Sequence, residues 1–116
     1  MVWAIETTND FDTWFDALAV SQQAKVLVSV SILREIGPRL GRPHVDTVNG
    51  SRYLNMKELR VQASGAPLRI FFAFDPRRVA LLLVGGNKTG RGRFYDLMIR
   101  RADTLYAEHL EALEDD

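Results

Sequence analysis

The period of the apolar residues changes once along this chain, and the change restricts the folds open to it. Before Gly37 they recur at helical spacing: Phe11, Trp14, Phe15 and Leu18 in one segment, then Val26, Val30 and Leu33, with Leu27 and Ile36 beside them, in a longer one. Asn9 or Asp10 is suited to cap the first helix and Ser21 the second, and Gly37-Pro38 supplies a stop. From Lys57 the period falls to two. Lys57 to Gln62 sets Leu59 and Val61 against Glu58, Arg60 and Gln62, and after the turn "ASGAP" the run Leu68 to Phe74 sets Leu68, Ile70, Phe72 and Phe74 against Arg69, Phe71 and Ala73. A second turn, "DPRR", leads into "VALLLVGG", apolar on both faces and so expected inside a sheet. With a short strand over Val2 to Glu6, a loop from Pro38 to Asn55, and a last helix from Phe94 to Leu113 that is apolar at Phe94, Leu97, Met98, Ala102 and Leu105, the expected fold class is α+β. Its order is β-α-α-β-β-β-α in a single domain over residues 1–116. The helices are expected on one face of a mostly antiparallel sheet, leaving the other face free.

Composition narrows the chemistry. The absence of cysteine excludes disulfides and thiolate metal sites, and two histidines, His44 and His109, make a histidine-rich metal centre a poor expectation. The longest strongly apolar run, Val79 to Val84, is far too short to span a bilayer, so the expected location is the cytoplasm, with no membrane partner. The formal net charge of zero conceals a segregation. Residues 52–101 carry eleven Lys and Arg against three acidic groups, a balance of +8, while residues 1–51 stand at −2 and residues 102–116 at −6. A basic middle between acidic ends suits a localised polyanion footprint, although ordinary surface arginine gives the same count.

The stretch "GGNKTGRGRFY" places four glycines among eight residues, Gly85 to Gly92, with lysine and arginine between them and a helix behind. Such a turn favours an anion. It is not a Walker A loop, since Leu82 stands where the first glycine belongs and Asn87 precedes Lys88-Thr89, and its glycine spacing fails the dinucleotide fingerprint. On the sheet face opposite the helices, Glu58, Arg60 and Arg69 surround Phe71, and the turn brings Lys88, Arg91, Arg93 and Tyr95 beside them. Together these could grip phosphate and stack a base, as single-stranded RNA recognition requires. The plainer alternatives are a cross-strand ion pair of Glu58 with Arg60 or Arg69 and a core role for Phe94 and Tyr95. His44 is a reserve acid/base candidate, and His109 reads as a packing or surface residue.

The segments "LGRPHVDTVNGSRYLNMKELRVQ", "PLRIFFAFDPRR" and "LLLVGGNKTGRGRFYDLMI" resemble, in order and spacing, the phage-derived HigB branch of the RelE-like toxins of bacterial toxin–antitoxin systems. The resemblance spans roughly residues 38–110. It implies a RelE-like fold and a toxin that is an mRNA endoribonuclease, inhibiting translation by cutting mRNA, usually on the ribosome, without metal or cofactor. It also implies silencing by a helix-turn-helix, HigA-like antitoxin. The implied reaction is attack of a ribose 2′-OH on its own 3′-phosphate. By the same resemblance Arg60 and Arg69 hold and neutralise the phosphate, Lys57 or Glu58 is the base, and Lys88, Arg93 and Tyr95 close the site. Arg52, Arg91, Arg93 and Phe71 are the RNA-binding candidates. Relatives often carry a longer lysine-rich run where this chain has "NKTGRGRFY", which leaves the acid open. Two other classes stay open beside the enzyme: a non-catalytic RNA- or ribosome-binding module, and a phage regulatory protein whose basic face serves a protein partner.

Overall fold

The computed structural model describes residues 2–90 and 92–115. Strand β1 (Ile5–Thr7) is followed by helices α1 (Asn9–Asp16) and α2 (Val20–Ile36), strands β2 (Val45–Thr47), β3 (Lys57–Ala63), β4 (Ala66–Phe74) and β5 (Ala80–Asn87), and helix α3 (Phe94–Glu114). The strands form one sheet in the order β1-β5-β4-β3-β2, with β1 parallel to β5 and the other neighbours antiparallel. The α+β class and the mostly antiparallel sheet are as expected. One strand was not expected: β2 lies inside the segment read as loop and pairs with β3. Among the described residues no helix is long and apolar enough to cross a membrane.

Local chemistry accounts for the shifted boundaries. The first strand starts at Ile5 rather than Val2 because Trp3 is engaged elsewhere: its N–H donates to the Arg34 carbonyl at 2.8 Å, and its ring lies under the Arg78 guanidinium. Thr8, not Asn9 or Asp10, caps α1; its hydroxyl oxygen accepts from the Phe11 N–H at 3.1 Å and its O–H donates to the Leu83 carbonyl, tying cap to sheet. Helix α2 begins before Ser21, with the Gln22 side chain accepting from the Ala19 N–H. The expected stop holds, and Gly37 (φ +72°) allows the Trp3 ring to pass where a Cβ would collide with it. Ser64 and Gly65, both with positive φ, form the two-residue turn between β3 and β4, of the kind that matches strand twist.

The sheet is covered on both faces, which corrects the expectation of a free one. Leu59, Val61, Leu68, Ile70, Phe72 and Leu82 pack with Phe11, Val26 and Leu33 of α1 and α2. On the opposite face Phe71, Ala73, Leu81, Leu83 and Val84 pack with Phe94, Ala102, Leu105 and Tyr106 of α3. Neighbouring Phe71 and Phe72 are both fully buried, one in each core, each worth roughly 1.5–3 kcal/mol of apolar burial. A bulge, with Phe71 opposite Val84 and Phe72 opposite Leu82, turns Leu83 and Val84 toward the same core. The two glycines ending β5 have packing roles: a Cβ on Gly85 would meet the Trp14 ring of α1 at 2.4 Å, and one on Gly86 the Phe94 ring of α3 at 2.9 Å. Leu27, Ile36 and Leu97, expected on apolar stripes, are instead exposed.

Candidate active site

Helix α3 covers only part of its sheet face. Where β2 and β3 run out from under its first turns, a cleft of about 260 Å³ opens between Asp46, Thr47, Val48 and Asn49 on one side, Tyr95 and Ile99 on the other, and Glu58 and Arg60 on the strand between. Alternation along β3 puts Glu58 and Arg60 on this face, and the register sets Arg60 opposite Arg69 of β4 and Glu58 opposite Asp46 of β2. Like charges directly across a ladder repel. Here the two pairs compensate diagonally: Arg69 Nε stands 3.2 Å and Arg60 Nε 3.3 Å from Glu58 Oε1, while Arg60 Nη2 is 3.2 Å from Asp46 Oδ2.

Glu58 is the centre of this group. It is 4% exposed, and the Tyr95 hydroxyl donates to its Oε1 at 2.8 Å. Every one of these interactions falls on Oε1; among the described residues, Oε2 accepts no hydrogen bond. Arg69 has capacity to spare as well. Its Nη1 donates to the Leu68 carbonyl at 3.0 Å, but its Nε–H, although within ion-pair distance of Glu58, is not aligned on it and has no hydrogen-bond acceptor among the described residues. The Tyr95 phenol is pushed above its ordinary value of 10.0, by burial first and the adjacent Glu58 carboxylate second, with Arg69 opposing. It therefore stays protonated at neutral pH and can donate a proton but not serve as a base.

The other expected site residues fall unevenly around the cleft. Lys88, just beyond β5, holds its ammonium 5.9 Å from the centre of the Tyr95 ring, a cation–π distance. Arg93 is exposed at the N-cap position of α3, two residues before Tyr95. Arg91 lies outside the described residues. Lys57 does not join Glu58: strand alternation directs it to the sheet face of Leu59 and Val61, toward α1 and α2, away from the cleft. Phe71 is on the correct face but fully buried beneath Phe94 and Tyr95, with ring centroids 6.2 and 6.0 Å away, so no base can stack on it. Arg52 stands apart from the Glu58 group, its N–H donating to buried Asp103 at 2.9 Å and its guanidinium over the Tyr53 ring. His44 is exposed and contributes its carbonyl to the Arg60 N–H at 2.8 Å; His109 pairs with Asp75 through Nε2 at 2.8 Å.

Asp46 is the site residue that sequence reasoning missed. Its β-branched neighbours Val45, Thr47 and Val48 were the available signal, but three residues of strand leave little periodicity to read.

Residues 13–107 match the family described as Phage derived protein Gp49-like (DUF891). The candidate toxin HigB3 of Mycobacterium tuberculosis (strain ATCC 25618 / H37Rv) is 50% identical over 93 residues, covering 79% of this chain and 80% of that one. The candidate toxin HigB2 of the same strain is 48% identical over 104 residues, 88% of this chain; the chain spans about half of HigB2's length, 52%. Among solved structures the fold resembles the isolated E. coli RelE toxin (TM-score 0.61, 11% identity, 84% of this chain and 97% of that one). It also resembles the archaeal RelE–RelB complex of Pyrococcus horikoshii OT3 (TM-score 0.56, 13% identity, 78% and 100%). At such identities the likeness is one of fold.

Proposed function

Because the chain belongs to the phage-derived Gp49-like family, together with the HigB-type proteins, we propose that it is the toxin of a toxin–antitoxin pair and an endoribonuclease that cuts mRNA, on the ribosome, to inhibit translation. The observation that carries this reading is a buried carboxylate, Glu58, held on one oxygen by Tyr95, Arg60 and Arg69 at the edge of an open cleft. Cleavage by the ribose 2′-OH needs a base for that hydroxyl, cations for the charge gathering on the phosphate, and an acid for the leaving 5′-oxygen. Glu58 takes the 2′-OH proton on Oε2, the oxygen its neighbours leave open. Arg69 and Arg60 face the non-bridging phosphate oxygens, and Tyr95 gives its phenolic proton to the 5′-oxygen. The P–O5′ bond breaks as the O2′–P bond forms, leaving a 2′,3′-cyclic phosphate and a 5′-OH. Lys88 and Arg93 hold the flanking backbone. These proton transfers and guanidinium contacts supply the chemistry without a metal. A HigA-like, helix-turn-helix antitoxin is the proposed partner that silences the activity.

The test is chemical. The protein is incubated with single-stranded RNA in EDTA and, separately, with translating ribosomes, and the new ends are mapped. Products with 5′-OH and 2′,3′-cyclic phosphate ends are expected. Ends carrying a 5′-phosphate would overturn the mechanism, and intact RNA in both assays would overturn the enzymatic reading.

A further inference from the structure

Asp46 has no role in the mechanism above, yet it lines the same cleft. It sits on the outermost strand, directly across from Glu58, so the fold sets two carboxylates face to face at a proposed polyanion site. Both guanidinium groups near it converge on one oxygen: Arg42 Nη2 lies 3.0 Å and Arg60 Nη2 3.2 Å from Oδ2. Charge-assisted N–H···O bonds from guanidinium groups are also how proteins grip a phosphate, so the donors on Asp46 suit either anion. The hydrogen bond from Arg42 holds the Asp46 carboxyl below its ordinary value, with partial burial opposing and the Thr47 N–H and Arg60 adding to it. The side chain is nonetheless 22% exposed, beside Arg60 at 37% and Arg42 at 77%, so a backbone phosphate can reach the same donors.

We propose that Asp46 is a positioning residue, an internal anion that holds Arg60 and Arg42 in place in the RNA-free protein and surrenders them to an RNA backbone phosphate on binding. This rests on the RNA reading above. It gives the cleft a selectivity: an isolated phosphate competes poorly with a carboxylate already in place, whereas an RNA strand that also engages Lys88 and Arg69 can displace it.

The experiment compares wild type with Asp46→Asn, which keeps the shape and removes the charge, in binding single-stranded RNA blocked by 2′-O-methyl groups. The expected result is ~2–5-fold tighter binding at low salt, the factor a partly exposed charge pair supports, shrinking as salt rises. KM on cleavable RNA falls in step. Asp46→Ser gives the same direction should the asparagine variant fold poorly, and in wild type the Arg60 Nε–H resonance moves when blocked RNA is added. Unchanged or weaker binding by folded variants whose wild type binds RNA, or a fall in kcat with KM unchanged, overturns this inference alone and leaves Asp46 a structural clamp. Absence of RNA binding by wild type and both variants overturns the functional reading and this inference together.

Discussion

Of the buried carboxylates around α3, Glu58 and Asp75 lie near opposite ends of the helix, and their surroundings differ in one decisive respect. At the C-terminal end Asp75 uses both oxygens. Its Oδ1 accepts from the Arg77 and Val79 N–H groups at 2.9 and 3.1 Å, and its Oδ2 from Arg77 Nε and His109 Nε2 at 2.9 and 2.8 Å, while Arg77 goes on to Glu6 at 2.8 Å. At the N-terminal end Glu58 is as deeply buried, but its interactions crowd onto Oε1 and its cleft is open. A buried carboxylate with every acceptor site engaged fastens a turn to a helix. One with an oxygen left over at an open cleft, between two arginines, has the surroundings of a functional site.

The largest effect that sharpens this contrast is expected from Glu58→Gln. Loss of the proposed base should lower cleavage by ~10²–10⁴-fold while thermal stability stays close to wild type, checked by single-turnover kinetics beside a melting curve. Activity within tenfold of wild type in a folded variant would place the base elsewhere.

Tyr95→Phe comes next. It removes the proposed proton donor and keeps the ring, so cleavage should fall at least tenfold with affinity for blocked RNA within twofold. A parallel loss of binding would mean that the hydroxyl positions RNA rather than transferring a proton.

Asp75→Asn should behave oppositely, losing roughly 1–3 kcal/mol of stability in a denaturant titration while the folded protein keeps its turnover. Burial alone would raise the Asp75 carboxyl, but the hydrogen bonds from His109 and Arg77 outweigh it and hold it below its ordinary 3.8. A depressed folded-state value stabilises above the unfolded value, and that contribution disappears as the pH falls through the folded one. The stability gap between wild type and Asp75→Asn should therefore be full at neutral pH and narrow below about pH 4. A gap that widens on acidification would contradict the assignment.

The smallest effect is expected from Lys88→Ala, which should weaken RNA binding with little regard to sequence and flatten the plot of log affinity against log salt by ~0.7, the single-strand value for one phosphate contact. An unchanged slope would reduce the turn after β5 to a connector.

The comparison also shows what was legible in advance. Strand parity was enough to put Glu58, Arg60 and Phe71 on one face, because alternation is a local property of extended backbone. The same parity, consistently applied, separates Lys57 from Glu58; the resemblance to known toxins had paired them as alternative bases. Burial was not legible in the same way. Phe71 has the right face and no access, since α3 covers it, and that covering depends on Phe94 and Tyr95 crossing the sheet after a turn whose course periodicity does not describe. Gly85 and Gly86 looked like part of a flexible phosphate turn; the packed structure shows each making room for an aromatic ring on opposite faces of β5.

The sequence by itself determined the helices, every strand but β2, and the concentration of positive charge in residues 52–101, since periodicity, turn residues and composition are carried by neighbouring positions. Tertiary structure alone decided which carboxylate is open. The contacts that distinguish Glu58 from Asp75 come from Tyr95, 37 residues along the chain, from Asp46, which pairs with Arg60 from a strand too short to signal itself, and from His109, 34 residues beyond Asp75. Such contacts are set by how α3 and β2 pack against the sheet, and packing is a property of the folded whole that no local pattern encodes.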